Sequence, residues 1–279
     1  MIRFTTFILS IVISIATLKA EQIKILAIGN SFSEDAIEYY LSGLATAAGD
    51  TVIIGNMYIG GCSLERHYNN FINNSSDYSY RKIVDGEKIT TPNFTLLDAI
   101  IDEEWDYISL QQVSSLSGIY ESYYPYINQL IKIIKGYSTN PHVEVILHAT
   151  WAYEQSSTHE GFANYSNDQL VMYNAIIDAT SRVAQDKEID IIIPSGTAIQ
   201  NGRATGLGDT FCRDGYHLDL NYGRYTASCT WYEKLFDKSV VGNSYIPSNI
   251  TDYEAKVAQL SAKYAVEFSN EVTLQCETR

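Results

Sequence analysis

The stretch "ILAIGNSFSED", residues 25–35, decides how the chain is read. With Ile23 and Lys24 before it, the apolar run Ile23–Ile28 has the length and composition of a buried strand. It stops at Gly29 and Asn30. Ser31 then stands ahead of a segment that opens with Glu34 and Asp35, acids suited to the positive end of a helix. A serine at a strand–helix junction is either a turn residue or a nucleophile. The rest of the chain has to distinguish the two.

The same strand–helix alternation recurs. "TVIIGNMYI" (51–59), "DYISL" (106–110), "VEVILHAT" (143–150) and "IDIIIP" (189–194) are the further apolar runs. Helical patterns are expected over 34–48, 121–135, 166–187, 221–236 and 252–268, with Ser166 and Gln169 as a capping box. "TLLDAIIDEEW" precedes the third strand as another helical stretch. Five short apolar strands separated by helices predict an α/β fold: a three-layer sandwich around a five-stranded parallel sheet of flavodoxin-like type. Residues 62–95 are polar and rich in Tyr and Asn, an insertion in which "YRKIVDGEKIT" reads as a hairpin turning at Asp85–Gly86.

Residues 1–20 have the layout of a secretory signal peptide: Arg3, then "FTTFILSIVISIATL", then a small residue at Ala20. The expected mature chain, 21–279, is one domain and is secreted or periplasmic. No later run is long and apolar enough for stable membrane insertion. The full chain of 279 residues carries a net charge of −14. Loss of Arg3 and Lys19 leaves 17 bases against 33 acids, a charge of −16. Such a surface repels phosphate backbones and argues against nucleic acid as a partner. Cys62, Cys212, Cys229 and Cys276 lack zinc-site spacing, and no metal or organic cofactor is implied. They are four buried thiols or contribute a bridge, with Cys62–Cys212 the pair that two site loops would bring together. His67, His142 and His159 show no ligand spacing and are expected at the surface.

In open parallel sheets, ligands bind beyond the carboxyl ends of the strands. Ser31 follows the first strand, "GGCS" (60–63) the second, "QQVSS" (111–115) the third and "HATWAY" (148–153) the fourth. "CRDGYHLDLNYGRYTA" (212–227) lies after the fifth. A serine hydroxyl needs a base within hydrogen-bond reach. Asp214 and His217 can supply the base and its orienting acid from one turn. The N–H groups of Ser31 and Gly61 can receive an oxyanion, with a side-chain amide of Gln111 or Gln112 as a third donor. Strand alternation turns only one of the two Gln side chains inward, and Gln112 is favoured. His148 is a satisfied core histidine or supports the site from behind. Trp151 and Tyr153 stack on a sugar ring or cap the core.

"IGNSFS", "GGCS" and "RDGYHLDLNYGRYTA", in that order, resemble the nucleophile, glycine and Asp-x-x-His blocks of the SGNH (GDSL-type) hydrolase superfamily. More narrowly, the chain resembles uncharacterised secreted bacterial SGNH-like domains with GNSFS and QQ motifs. The family's third block carries an Asn that donates to the oxyanion, and "SLQQVS" stands in its place here, with Val113 at the Asn position. The resemblance implies a secreted serine esterase that removes acetyl or other small acyl groups, with a small ester or acylated carbohydrate as substrate. The alternative is a non-catalytic carbohydrate-binding protein on the same fold, with Trp151 and Tyr153 as its platform.

Overall fold

The computed structural model describes residues 20–187, 189 and 191–273. The expected signal peptide and Cys276 lie outside the described residues. Strands and helices alternate as β1 (Gln22–Gly29), α1 (Ser31–Ile37), α2 (Leu41–Ala47), β2 (Thr51–Tyr58), α3 (Leu64–Ile72), β3 (Tyr78–Val84), β4 (Glu87–Phe94), α4 (Leu96–Ile101), β5 (Tyr107–Leu110), α5 (Tyr126–Tyr137), β6 (Glu144–His148), α6 (Gln169–Lys187), β7 (Ile191–Ile193), α7 (Ser195–Arg203), α8 (Tyr222–Phe236) and α9 (Asp252–Glu267).

The sheet has seven strands in the order β4-β3-β2-β1-β5-β6-β7. The five expected strands are all present and pair in parallel. The other two are the hairpin, which continues the sheet at its β2 edge by antiparallel pairing. The expected count of five is therefore corrected to seven. The turn itself falls at Asp85 and Gly86, whose φ values of 52° and 80° suit a tight hairpin. β4 is left as an exposed edge, on which Pro92 cannot donate and Lys88 deters further pairing.

β1 lies inside the sheet and alternates its side chains between two cores. Ile23, Ile25 and Ala27 join Phe32, Leu41, Tyr225 and Trp231 on one face. Leu26 and Ile28 join Trp105, Ile127 and Leu130 on the other. Both faces are covered by helices, which is why the parallel strands read as continuous apolar runs.

Two helical expectations change in detail. Residues 34–48 form two helices, broken at 38–40, because Glu38 is drawn inward to Asn56, Arg81 and Lys88. Ser166 is left-handed (φ 58°) and does not cap α6. Asp168 does so instead, accepting from the Val171 N–H.

β1 pairs with β2 on one side and β5 on the other, so the chain direction across the sheet switches beside it. A crevice opens at such a switch, beyond the strand ends. Ser31 and Gln111 stand there.

Candidate active site

Gly29 ends β1 under a tight turn. A Cβ added there would lie 2.4 Å from Ser33 Oγ and 3.2 Å from Gln111 Cδ. Asn30, in extended conformation, caps α1 by accepting the Phe32 N–H at 3.0 Å. Ser31 is thus the first residue of the helix. Its own N–H lies in the first turn, where no intrahelical acceptor exists and the helix end is positive.

The expected base comes from 186 residues further along. In the turn Asp214–His217, Asp214 Oδ1 accepts the N–H of His217 at 2.8 Å and of Tyr216 at 3.2 Å. Its Oδ2 accepts His217 Nδ1–H at 2.7 Å. His217 Nε2 then faces Ser31 Oγ at 2.8 Å, positioned to accept the hydroxyl proton. Gly215 has a φ of +88°, and a Cβ on it would approach Ser157 to 3.0 Å, so the tight turn needs glycine. Partial burial works to raise the Asp214 pKa. The hydrogen bonds from the His217 side chain and backbone outweigh it and hold the carboxyl below its usual value.

Asp35, fully buried one turn after Ser31, fastens this loop to α1. Its carboxylate accepts from Arg224 Nε at 2.8 Å, from Arg213 at 3.1 Å and from the Leu218 N–H at 2.9 Å. Trp151 secures the other side. It stacks on Phe32 at 4.3 Å and donates through Nε1 to the Tyr216 carbonyl at 2.8 Å.

Gly60 and Gly61 form an exposed turn after β2. Gly61 has φ +61° and open space where a Cβ would be, so its requirement is conformational. The Cys62 carbonyl just beyond accepts from Asn30 Nδ2 at 3.0 Å, which ties the glycine turn to the serine turn.

The Gln side chains are committed elsewhere, and their expected oxyanion role is corrected. Gln112 donates to the Ser122 carbonyl at 2.9 Å and stands 3.2 Å from its hydroxyl, while its Oε1 accepts from Leu64 N and Val113 N. Gln111 donates to Asn30 Oδ1 at 2.8 Å and accepts from His148 Nδ1 at 2.8 Å. Both are buried. Of the expected oxyanion donors, those not given another partner are the backbone N–H groups of Ser31 and Gly61.

The aromatic platform is also corrected. Trp151 and Tyr153 are each 0 % exposed. Tyr153 is packed among Phe162, His159 and Tyr216 with its hydroxyl on Ser114. Neither ring offers a face to a sugar, because the segment after β6 runs beneath the Asp214 loop. His148 is a satisfied core histidine, bonded to Gln111 and, through Nε2, to Ser195 at 2.9 Å. His67 is buried instead of exposed, with Nδ1 2.9 Å from the Tyr78 hydroxyl. His142 lies on the surface, and His159 is half-buried. Cys62, Cys212 and Cys229 are free thiols, so the Cys62–Cys212 bridge does not form.

Asn30, Asp35 and Ser195 were not singled out by sequence reasoning. Asn30 did carry a signal, as a cap residue directly before the first helical position. Among the described residues no group of three His, Cys, Asp or Glu side chains is arranged to hold a metal ion. No helix among them is long and apolar enough to cross a membrane.

The fold is shared with a protein of Slackia heliotrinireducens assigned to the SGNH hydrolases. The match has a TM-score of 0.53 at 18% identity and covers 78% of this chain and 100% of that one. No curated protein matches the sequence. The crystal structure of a DUF4886 family protein from Bacteroides uniformis matches with a TM-score of 0.89 at 50% identity, covering 90% of this chain and 97% of that one. Residues 24–265 fit the model of that family, described as a domain of unknown function, and the chain belongs to the DUF4886 family.

Proposed function

We propose that the protein is a secreted serine esterase that removes acetyl or other small acyl groups. The observation that carries this reading is the unbroken line from Asp214 through His217 to Ser31 Oγ, with both links at 2.7–2.8 Å. A serine that merely capped a helix would have no use for an imidazole oriented by a carboxylate.

In this reading Ser31 Oγ attacks the ester carbonyl carbon while His217 Nε2 takes its proton. The carbonyl oxygen becomes an anion and is met by the N–H groups of Ser31 and Gly61. The tetrahedral intermediate collapses, His217 returns the proton to the leaving alcohol, and an acyl-Ser31 remains. Water, deprotonated by His217, attacks the acyl carbon; the second tetrahedral intermediate collapses with cleavage of the bond to Ser31 Oγ, which takes the proton back from His217, and the acid is released. Asp214 keeps the proton of the imidazole on Nδ1, so Nε2 is the basic nitrogen throughout. The oxyanion site then works with its two backbone donors and without the family's Asn, as Val113 has no donor side chain.

An acylated carbohydrate as the alcohol part rests on the superfamily resemblance alone. The burial of Trp151 and Tyr153 removes the platform on which a purely sugar-binding role would depend. The test is hydrolysis of p-nitrophenyl acetate and of a panel of acetylated sugars. Ser31→Ala and His217→Ala should each abolish turnover, and the double variant should be little worse than either, because the two groups act as one unit. Folded single variants that retain wild-type rates would refute the proposal.

A further inference from the structure

Beneath the Ser31–His217 pair lies a row of polar groups, one from the carboxyl end of each parallel strand. In sheet order they are the Cys62 carbonyl after β2, Asn30 after β1, Gln111 after β5, His148 at the end of β6 and Ser195 after β7. Each touches the next: Asn30 Nδ2 to Cys62 O at 3.0 Å, Gln111 Nε2 to Asn30 Oδ1 at 2.8 Å, His148 Nδ1 to Gln111 Oε1 at 2.8 Å and Ser195 Oγ to His148 Nε2 at 2.9 Å. All five residues are buried.

The chemistry of the ends fixes the direction of every bond. A backbone carbonyl only accepts, so Asn30 must turn its NH₂ to Cys62 and its Oδ1 to Gln111. Gln111 must then donate to Asn30 and accept from His148. The imidazole therefore carries its proton on Nδ1 and accepts from the Ser195 hydroxyl on Nε2. Burial favours the neutral ring that this requires. The donors run one way, from β7 to β2.

Asn30 is where the row meets the site. Its Oδ1 also accepts the Phe32 N–H, next to the Ser31 N–H. Its NH₂ holds the carbonyl one residue beyond Gly61. We propose that this directed row fixes the position of the Ser31 and Gly61 N–H groups relative to one another, with Asn30, Gln111, His148 and Ser195 as positioning residues that never touch substrate. The inference rests on the esterase reading and adds to it the device that holds its two-donor oxyanion site in register.

The test is Asn30→Asp, which keeps size and both acceptor contacts but presents a carboxylate oxygen to the Cys62 carbonyl. With p-nitrophenyl acetate, kcat should fall at least about tenfold, toward the roughly hundredfold loss of a deleted oxyanion donor, with KM changed less than about twofold. The ratio of variant to wild-type kcat should climb as pH is lowered from 8 to 5, since a protonated carboxyl regains an O–H for the carbonyl. The ionisable groups around position 30 are Cys62, His67 and Tyr78 on the β2 side, His148 behind Gln111, and His217 across Ser31. Burial holds His67 and His148 near 3 and lifts Cys62 to about 12 and Tyr78 higher still, so these keep one charge state across the range. A wild-type rate in the variant, a pH-independent ratio, or a loss carried by KM would overturn the inference. Should the variant not fold, the ¹⁵N shifts of His148 in the wild-type protein decide: neutral Nδ1–H is expected at pH 6, and an Nε2–H tautomer or an imidazolium would overturn the direction of the row. Failure of the esterase reading is distinguished by a wild-type protein that leaves esters intact.

Discussion

The buried histidines make the fold sensitive to mild acid in a way that one substitution isolates. Burial depresses the His148 pKa from 6.5 to about 3. His67 is held as low, by burial and by the nearby Arg66 charge. In the unfolded chain each regains its ordinary value, so as pH falls below 6.5 the unfolded state takes up protons that the folded state refuses. Stability from each group is complete above pH 6.5 and drains away as pH falls toward 3. Between pH 7.5 and pH 5 each loses about 2 kcal/mol, from 1.36 kcal/mol per pH unit once the unfolded imidazole is protonated. His148→Gln keeps a donor for Gln111 and an acceptor for Ser195 but cannot titrate. Urea unfolding of both proteins at pH 7.5 and pH 5 gives the comparison. Wild type should lose about 2 kcal/mol more than the variant over that interval, or roughly 0.7 M in relative midpoint at a slope of about 3 kcal/mol per M. Carboxylate titration affects both proteins equally and cancels. Parallel losses in the two would show that His148 is not held neutral, and the reasoning would fail.

Two further outcomes are expected. Gln112→Ala should leave kcat/KM on p-nitrophenyl acetate within a few-fold of wild type, since its amide serves Ser122, while the lost bonds to Leu64 and Val113 N–H cost about 1–3 kcal/mol in urea unfolding. Asp35→Asn leaves Arg224 and Arg213 facing a neutral amide in a buried setting, and should cost about 3 kcal/mol of stability and lower kcat more than it raises KM, measured by unfolding and steady-state kinetics on one preparation.

Local signals carried much of the architecture. Ile23–Ile28 was legible because a strand buried on both faces leaves an unbroken apolar run. The Asp85–Gly86 turn was legible because two left-handed residues in succession favour Asp-Gly. That the hairpin docks on β2 was not, since nothing local says which edge a hairpin joins. α7 escaped notice because all nine of its residues are buried, polar Gln200, Asn201 and Arg203 among them, so no solvent-facing stripe marks a helical period. α3 escaped notice because its inward face mixes types: it buries the polar His67 and Asn70 beside Leu64, while Ile72 at its end is exposed. At the site, Ser31, Asp214 and His217 stood out because each sits at a strand end or within a tight turn. The partners of Gln111 and Gln112 did not, because an amide's role depends on what lies across from it, here Asn30 81 residues away and Ser122 in the following loop. Of the two roles expected for Trp151 and Tyr153, stacking on a sugar or capping the core, burial leaves the second, and what lies across from them, Tyr216 of the Asp214 turn among it, had no local signal.

The placement of Asp35 explains how residues so far apart in sequence meet with hydrogen-bond precision. Ser31 and Asp35 are i and i+4 on one helix, so their side chains leave the same face about one turn apart. Asp35 grips the Leu218 N–H, one residue from His217, together with Arg213 on the other side of the Asp214 turn. The loop that carries His217 is therefore fastened to the same helix that carries Ser31, and α8 joins through Arg224. The distance from Ser31 Oγ to His217 Nε2 is then governed by one turn of helix and one tight turn of four residues, not by the path of the intervening chain. On the opposite side, Asn30 links the same helix start to the glycine turn. The two halves of the proposed chemistry, proton transfer and oxyanion binding, are thus both referenced to the first turn of α1. A displacement of that turn would disturb both together, whereas a change at Asp35 or Asn30 should disturb one while sparing the other.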